Sequence, residues 1–160
     1  MKPVLSQTIA LLRTGNVQKA EALLEARLSS GRNEPELINA LGVVRALNGR
    51  YDEARELFEA SLLTSRNKAK VLCNLGNLCL VKNDPQGALR YYAQAMEASF
   101  MAPEPRYNAA RAYQELGQFE KALQSILDYD DCRTFQRRLG MITFLTVLLG
   151  LAYAAALILR

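Results

Sequence analysis

From the N-terminus to about Gln136, small and apolar residues return at fixed places every 34 positions, with polar residues between them. Eight stretches of helical length carry the pattern: residues 3–14, 17–28, 35–48, 51–64, 69–82, 85–99, 106–116 and 119–129. Turn-forming residues separate them. Gly15-Asn16 lies between the first two, Ser29-Ser30-Gly31-Arg32-Asn33 closes the first pair, and Asp84-Pro85 reads as a cap followed by a first-turn proline. Pro35 and Pro103-Glu104-Pro105 open two further pairs. The pattern predicts an all-α chain of four helix pairs, with no loop long enough to be a lid or an active-site insertion.

Stepping along the chain by this spacing gives each unit the same parts. The turn position reads Gly15, Gly49, Asn83 and Gly117. Glycine takes the left-handed conformation that ends a helix, and asparagine is the other residue that tolerates it. Five residues on stand Ala20, Ala54, Ala88 and Ala122; Val17, Tyr51, Pro85 and Phe119 open the second helices, and Leu24, Phe58, Tyr92 and Ile126 lie two turns further. Gly42 and Ala54 would let two helix backbones approach while Leu41 and Phe58 fill the seam. Asp52 and Glu53 put acid in the first turn of the helix that begins at Tyr51.

Leu41-Gly42, Gly49, Tyr51, Ala54 and Phe58 in the second unit, and Asn74-Leu75-Gly76-Asn77, Ala88, Tyr92 and Ala95 in the third, resemble the tetratricopeptide repeat, a helix-turn-helix unit of the same length. The fourth unit keeps Ala109-Ala110, Tyr113, Gly117, Phe119 and Ala122. The resemblance implies an α-solenoid of four repeats, at 1–34, 35–68, 69–102 and 103–136. The first unit departs from it, with Gln7-Thr8 where the next two have Leu-Gly, as expected of a solvent-facing terminal repeat.

The formal charge of +4 would suggest a nucleic-acid partner if it were spread over the repeats. It is not. Residues 1–132 balance, and the excess is Arg133, Arg137, Arg138 and Arg160. These bracket residues 139–159, LGMITFLTVLLGLAYAAALIL, which carry no charge and match a hydrocarbon core of about 30 Å at about 1.5 Å per residue. A single transmembrane helix is therefore expected there, a tail anchor that leaves the repeats in the cytoplasm by the positive-inside rule. A bacterial inner membrane is the favoured location, with the mitochondrial outer membrane as the alternative. Gly150, Ala152, Ala154 and Ala156 are small residues at spacings that can support a homo-oligomer through the span. Residues 1–12 hold only a broken apolar run, unlike a secretory signal.

Chemistry is sparse. The chain has no histidine, which removes Ser-His-Asp, Cys-His and histidine-zinc sites, and no P-loop or dinucleotide glycine pattern. Cys73, Cys79 and Cys132 form no CxxC pair; Cys79 reads as a small core residue and Cys73 falls on another face of the same helix. Asp128, Asp130 and Asp131 read as a solvated cluster rather than a metal site. No catalytic residue, cofactor or metal is expected.

What remains is a surface for a protein. The resemblance implies that the first helix of each unit lines a concave groove, and it carries that role to Leu5, Ile9, Leu12, Asn39, Val43, Lys70, Asn74, Asn77, Tyr107, Asn108, Arg111 and Gln114. The lining is apolar early and polar late: leucine, isoleucine and valine suit the anchors of a ligand helix, while asparagines suit the backbone of an extended segment. In the family's clamp for chaperone C-termini, only Asn74 of the required set is matched, and Glu104 would repel a carboxylate. The expected function is a membrane-anchored adaptor that holds a partner protein for assembly of a membrane-associated complex. The alternative is an ATP-independent chaperone delivering a subunit or export substrate to a membrane machine, and a purely structural subunit is a third reading.

Overall fold

A computed structural model describes residues 4–31 and 34–158, with side chains described as far as residue 148. Eight helices follow one another: α1 (Val4–Arg13), α2 (Val17–Ser29), α3 (Pro35–Leu47), α4 (Tyr51–Thr64), α5 (Lys68–Val81), α6 (Pro85–Ala98), α7 (Glu104–Glu115) and α8 (Phe119–Ile158). No strand occurs among the described residues. Each helix packs on the next, and α3, α5 and α7 also meet side by side, so the first helices of successive units line one face.

The turn residues behave as their types require. Gly15, Gly49 and Gly117 have φ of 72°, 76° and 70°, and Asn83, in the same place of its unit, has φ 60°. Asp84 caps α6 by accepting from the Gly87 amide at 2.8 Å.

Packing follows from small residues facing large ones. A methyl group at Gly42 would lie 2.6 Å from Cε1 of Phe58, and one at Gly76 would lie 2.8 Å from Cδ1 of Tyr92, so both rings occupy space that only glycine leaves. Ala54, Ala88 and Tyr92 are wholly buried and Phe58 is nearly so. The cores cross from unit to unit: Ala54 and Phe58 of α4 join Val71, Leu75 and Leu78 of α5, and Ala88 and Tyr92 of α6 join Ala109 and Ala112 of α7. Burying a side chain the size of Phe58 contributes about 1.5–3 kcal/mol, so the stacking of units carries the stability. Between the first two units an ionic knot adds to it, with Arg45 reaching Glu21, Glu25 and Glu53, and Arg50 also reaching Glu21.

Two expectations are corrected. Thr8 does not face solvent: it is 2% exposed, and its hydroxyl donates to the Val4 carbonyl at 2.9 Å, which satisfies a buried polar group within its own helix. The second helix of the fourth unit does not end near residue 129. It runs 40 residues as α8, because no glycine or proline interrupts 119–139.

Among the described residues no helix is long and apolar enough to cross a membrane. The span expected over 139–159 finds no support there. It lies in part outside the described residues, as do the small residues Gly150, Ala152, Ala154 and Ala156, whose side chains are not described.

Candidate partner-binding groove

Three hollows follow one another along the face formed by the first helices. The first, of about 320 Å³, is lined by Leu5, Ile9 and Leu12 of α1, Asn39 and Val43 of α3, and Lys70 and Val71 of α5. The second, of about 190 Å³, lies among Val43, Ala46 and Leu47 of α3, Asn74 and Asn77 of α5, and Tyr51 and Phe58 of α4. The third, of about 580 Å³, includes Lys70, Cys73, Asn74, Asn77, Glu104 and Asn108, and is bounded by Met101, Ala102 and Pro103 of the α6–α7 loop and by Gln136 of α8. Lys70 borders the first and third, Val43 the first and second, and Asn74 and Asn77 the second and third. The three hollows thus adjoin one another.

Nine of the expected groove residues come together in them: Leu5, Ile9, Leu12, Asn39, Val43, Lys70, Asn74, Asn77 and Asn108. Tyr107, Arg111 and Gln114 line none of the three hollows. The Tyr107 ring instead packs against Tyr129 of α8, with centroids 5.4 Å apart and planes tilted by 51°. Tyr129 accepts from the Arg133 guanidinium at 3.0 Å, so this extension of α8 supports the end of the array.

The groove's amides are held from below. Asn74 Nδ2 donates to Asn39 Oδ1 at 2.8 Å, bridging α5 and α3, and Asn39 is buried. Asn77 Oδ1 accepts from the Tyr92 hydroxyl at 2.8 Å. A single bond leaves an amide further donors and acceptors, so Asn74 and Asn77 are oriented without being exhausted. Burial pushes the Tyr92 phenol up from its ordinary pKa of 10.0, so it stays a donor. The Cys73 thiol is pushed up to about 12, first by burial and then by the charge of Glu104, and is an apolar part of the wall rather than a nucleophile. Cys79 is buried in the core, as expected. Among the described residues no group of three or more His, Cys, Asp or Glu could hold a metal ion.

Reasoning from the repeat pattern missed Asn67, Gln136 and, in the α6–α7 loop, Ser99, Met101, Ala102 and Pro103. The loop residues carry no repeat signature. Gln136 could have been found from the absence of a helix breaker after Phe119.

Models of the tetratricopeptide repeat match residues 33–99 and 103–126, which together span more than half of the chain. No curated protein matches the sequence. Among solved structures, MamA is similar at a TM-score of 0.66 and 12% identity, over 84% of this chain and 74% of that one. A second MamA structure, AMB-1, gives a TM-score of 0.63 at 21% identity, over 82% and 78%. YrrB, described as a TPR protein with an unusual peptide-binding site, gives 0.63 at 18% identity, over 82% and 68%. At these identities the likeness is one of fold. With the left-handed turn residues, the glycine-to-aromatic seams and the matched stretches in agreement, the chain belongs to the tetratricopeptide repeat family.

Proposed function

We propose that the chain is an adaptor that binds a segment of a partner protein along its groove and holds it at the cytoplasmic face of a membrane, without chemistry of its own. The observation that carries the binding reading is the adjacency of the hollows: Lys70 borders both the apolar and the polar one. A segment lying along them would set apolar side chains among Leu5, Ile9, Leu12 and Val43 and its backbone against Asn74, Asn77 and Asn108. That YrrB, of the same fold, has a peptide-binding site supports the same use here. The tether is supported by the uncharged sequence 139–159, by the arginines before it, and by the exposed Leu139, Met141, Ile142, Phe144, Leu145, Val147 and Leu148 on α8.

A photo-crosslinking residue at Lys70, with Glu59 of α4 as control, tests the groove in intact cells. One dominant protein adduct at Lys70 and none at Glu59 is the expected result. Adducts at Glu59 alone would sink the groove as the working surface. The apolar hollow around Leu5 and Ile9 favours a second reading, an ATP-independent chaperone, which many different adducts at Lys70 would support.

A further inference from the structure

A fourth hollow, of about 520 Å³, shares Met101 with the groove and is lined also by Phe100, Arg106, Asp128, Asp131, Cys132 and Phe135. Its two phenylalanines face water, Phe100 at 75% and Phe135 at 55% exposed. One face of the Phe100 ring is covered by the Arg106 guanidinium, 5.2 Å from its centroid. The α6–α7 loop that carries Phe100 is fastened to α8, because the Met101 carbonyl accepts from Gln136 Nε2 at 2.5 Å and from the Cys132 thiol at 3.2 Å.

That attachment fixes the loop's height along α8. At about 1.5 Å per residue, Gln136 and Cys132 lie about 4.5 and about 10 Å short of Leu139, where the uncharged stretch begins. The headgroup layer of a bilayer is roughly 5–8 Å deep on each side. Charge is ordered along the same axis: Asp128, Asp130 and Asp131 lie farthest from the apolar stretch, Arg133 is nearer, and Arg137 and Arg138 adjoin it. Along α8 the acids lie farther from Leu139 than the headgroup layer is deep, whereas Arg137 and Arg138 lie within it, so Asp128 and Asp131 line the side of the hollow away from the bilayer.

We infer that the α6–α7 loop is a second point of membrane contact, in which Phe100 and Phe135 sit in the headgroup layer of an anionic bilayer beside Arg137 and Arg138. The inference rests on the membrane-anchor reading of 139–159. Aromatic side chains next to basic ones are what an interfacial surface needs, and an arginine near an anionic leaflet is attracted to it. The contact also orients the groove. Met101 and Gln136 border its polar hollow, so that end of the groove lies toward the bilayer.

The chain has no tryptophan, so single replacements report on their own sites. Phe100→Trp, Phe135→Trp, Val147→Trp and Leu63→Trp versions of the full chain would be reconstituted in phosphatidylcholine vesicles, with and without phosphatidylglycerol, and quenched by lipids brominated at shallow or deep positions. The expected result is blue-shifted emission and shallow quenching at positions 100 and 135, stronger with phosphatidylglycerol, deep quenching at 147 and none at 63. Deep quenching at 147 with none at 100 and 135 overturns the loop contact and leaves the anchor standing. No quenching at 147 overturns the anchor and the contact with it. Equal quenching at 100 in both lipid mixtures overturns the part assigned to the arginines.

Discussion

The Tyr92 hydroxyl donates to Asn77 Oδ1 at 2.8 Å, so a wholly buried ring on α6 holds a groove amide on α5 in place. The bond crosses the seam opened by Gly76, and it links the packing of the third repeat to the surface that would meet a ligand. Tyr92→Phe keeps the ring and removes the donor. Loss of about 1 kcal/mol is expected, read as a lower urea midpoint at unchanged slope. Unchanged stability would mean that the bond contributes nothing in solution.

Gly76→Ala tests the seam itself. Alanine is favoured over glycine in a helix by about 1 kcal/mol, but its methyl group would lie 2.8 Å from Cδ1 and 2.9 Å from Cζ of Tyr92, and overpacking costs about 1–3 kcal/mol. The ring cannot retreat into a core that already buries it. Net destabilisation of up to about 2 kcal/mol is expected by thermal or urea unfolding. A more stable variant would show that the ring moves freely.

The repeats were legible because their critical positions admit few residue types. Only glycine or asparagine suits the turn at Gly49 and Asn83, and only a very small residue lets α3 meet Phe58 or α5 meet Tyr92. Chain features that depend on distant neighbours were not legible. Arg45 finds its carboxylates on α2 and α4, and the Tyr107 ring packs against Tyr129 of α8 rather than lining a hollow. The hollows along the first helices take in residues that the repeat pattern singles out, whereas the loop and α8 residues that close the largest of the three carry no repeat signature.

Asn83 takes a left-handed conformation that side chains branched at Cβ resist. Asn83→Gly should leave stability unchanged within a few tenths of a kcal/mol, whereas Asn83→Val should cost about 1–2 kcal/mol. The pair of variants separates backbone strain from loss of the amide. Equal effects would show that the conformation relaxes when the side chain changes.

Alkaline pH should weaken the fold through Cys73. Its ordinary pKa of 9.0 is raised to about 12 in the folded chain, by burial and by Glu104. Between those values the unfolded chain has lost the proton that the folded chain keeps, so stability is full below pH 9.0 and falls as pH rises toward about 12. Cys79 and Tyr92 shift in the same direction, so part of the slope remains without Cys73. Cys73→Ala should lose less stability than the parent over this range, measured as urea midpoints at several pH values. Parallel pH profiles would remove Cys73 from the account.

The pair Asn39–Asn74 predicts an asymmetry that distinguishes a structural bond from a surface one. Asn39 is 5% exposed and its carbonyl oxygen accepts from Asn74, which is only partly buried and lines the groove. Asn74→Ala would strand a buried acceptor, at a cost of about 1–3 kcal/mol. Asn39→Ala leaves the Asn74 amide where water reaches it, and its cost should be the smaller of the two. Replacing both by leucine removes the polar demand altogether, so much of the stability lost in Asn74→Ala should return, while crosslinking of a partner from Lys70 should fall because the amide facing the ligand is gone. Stability restored together with full crosslinking would mean that the asparagines shape the solenoid and take no part in recognition.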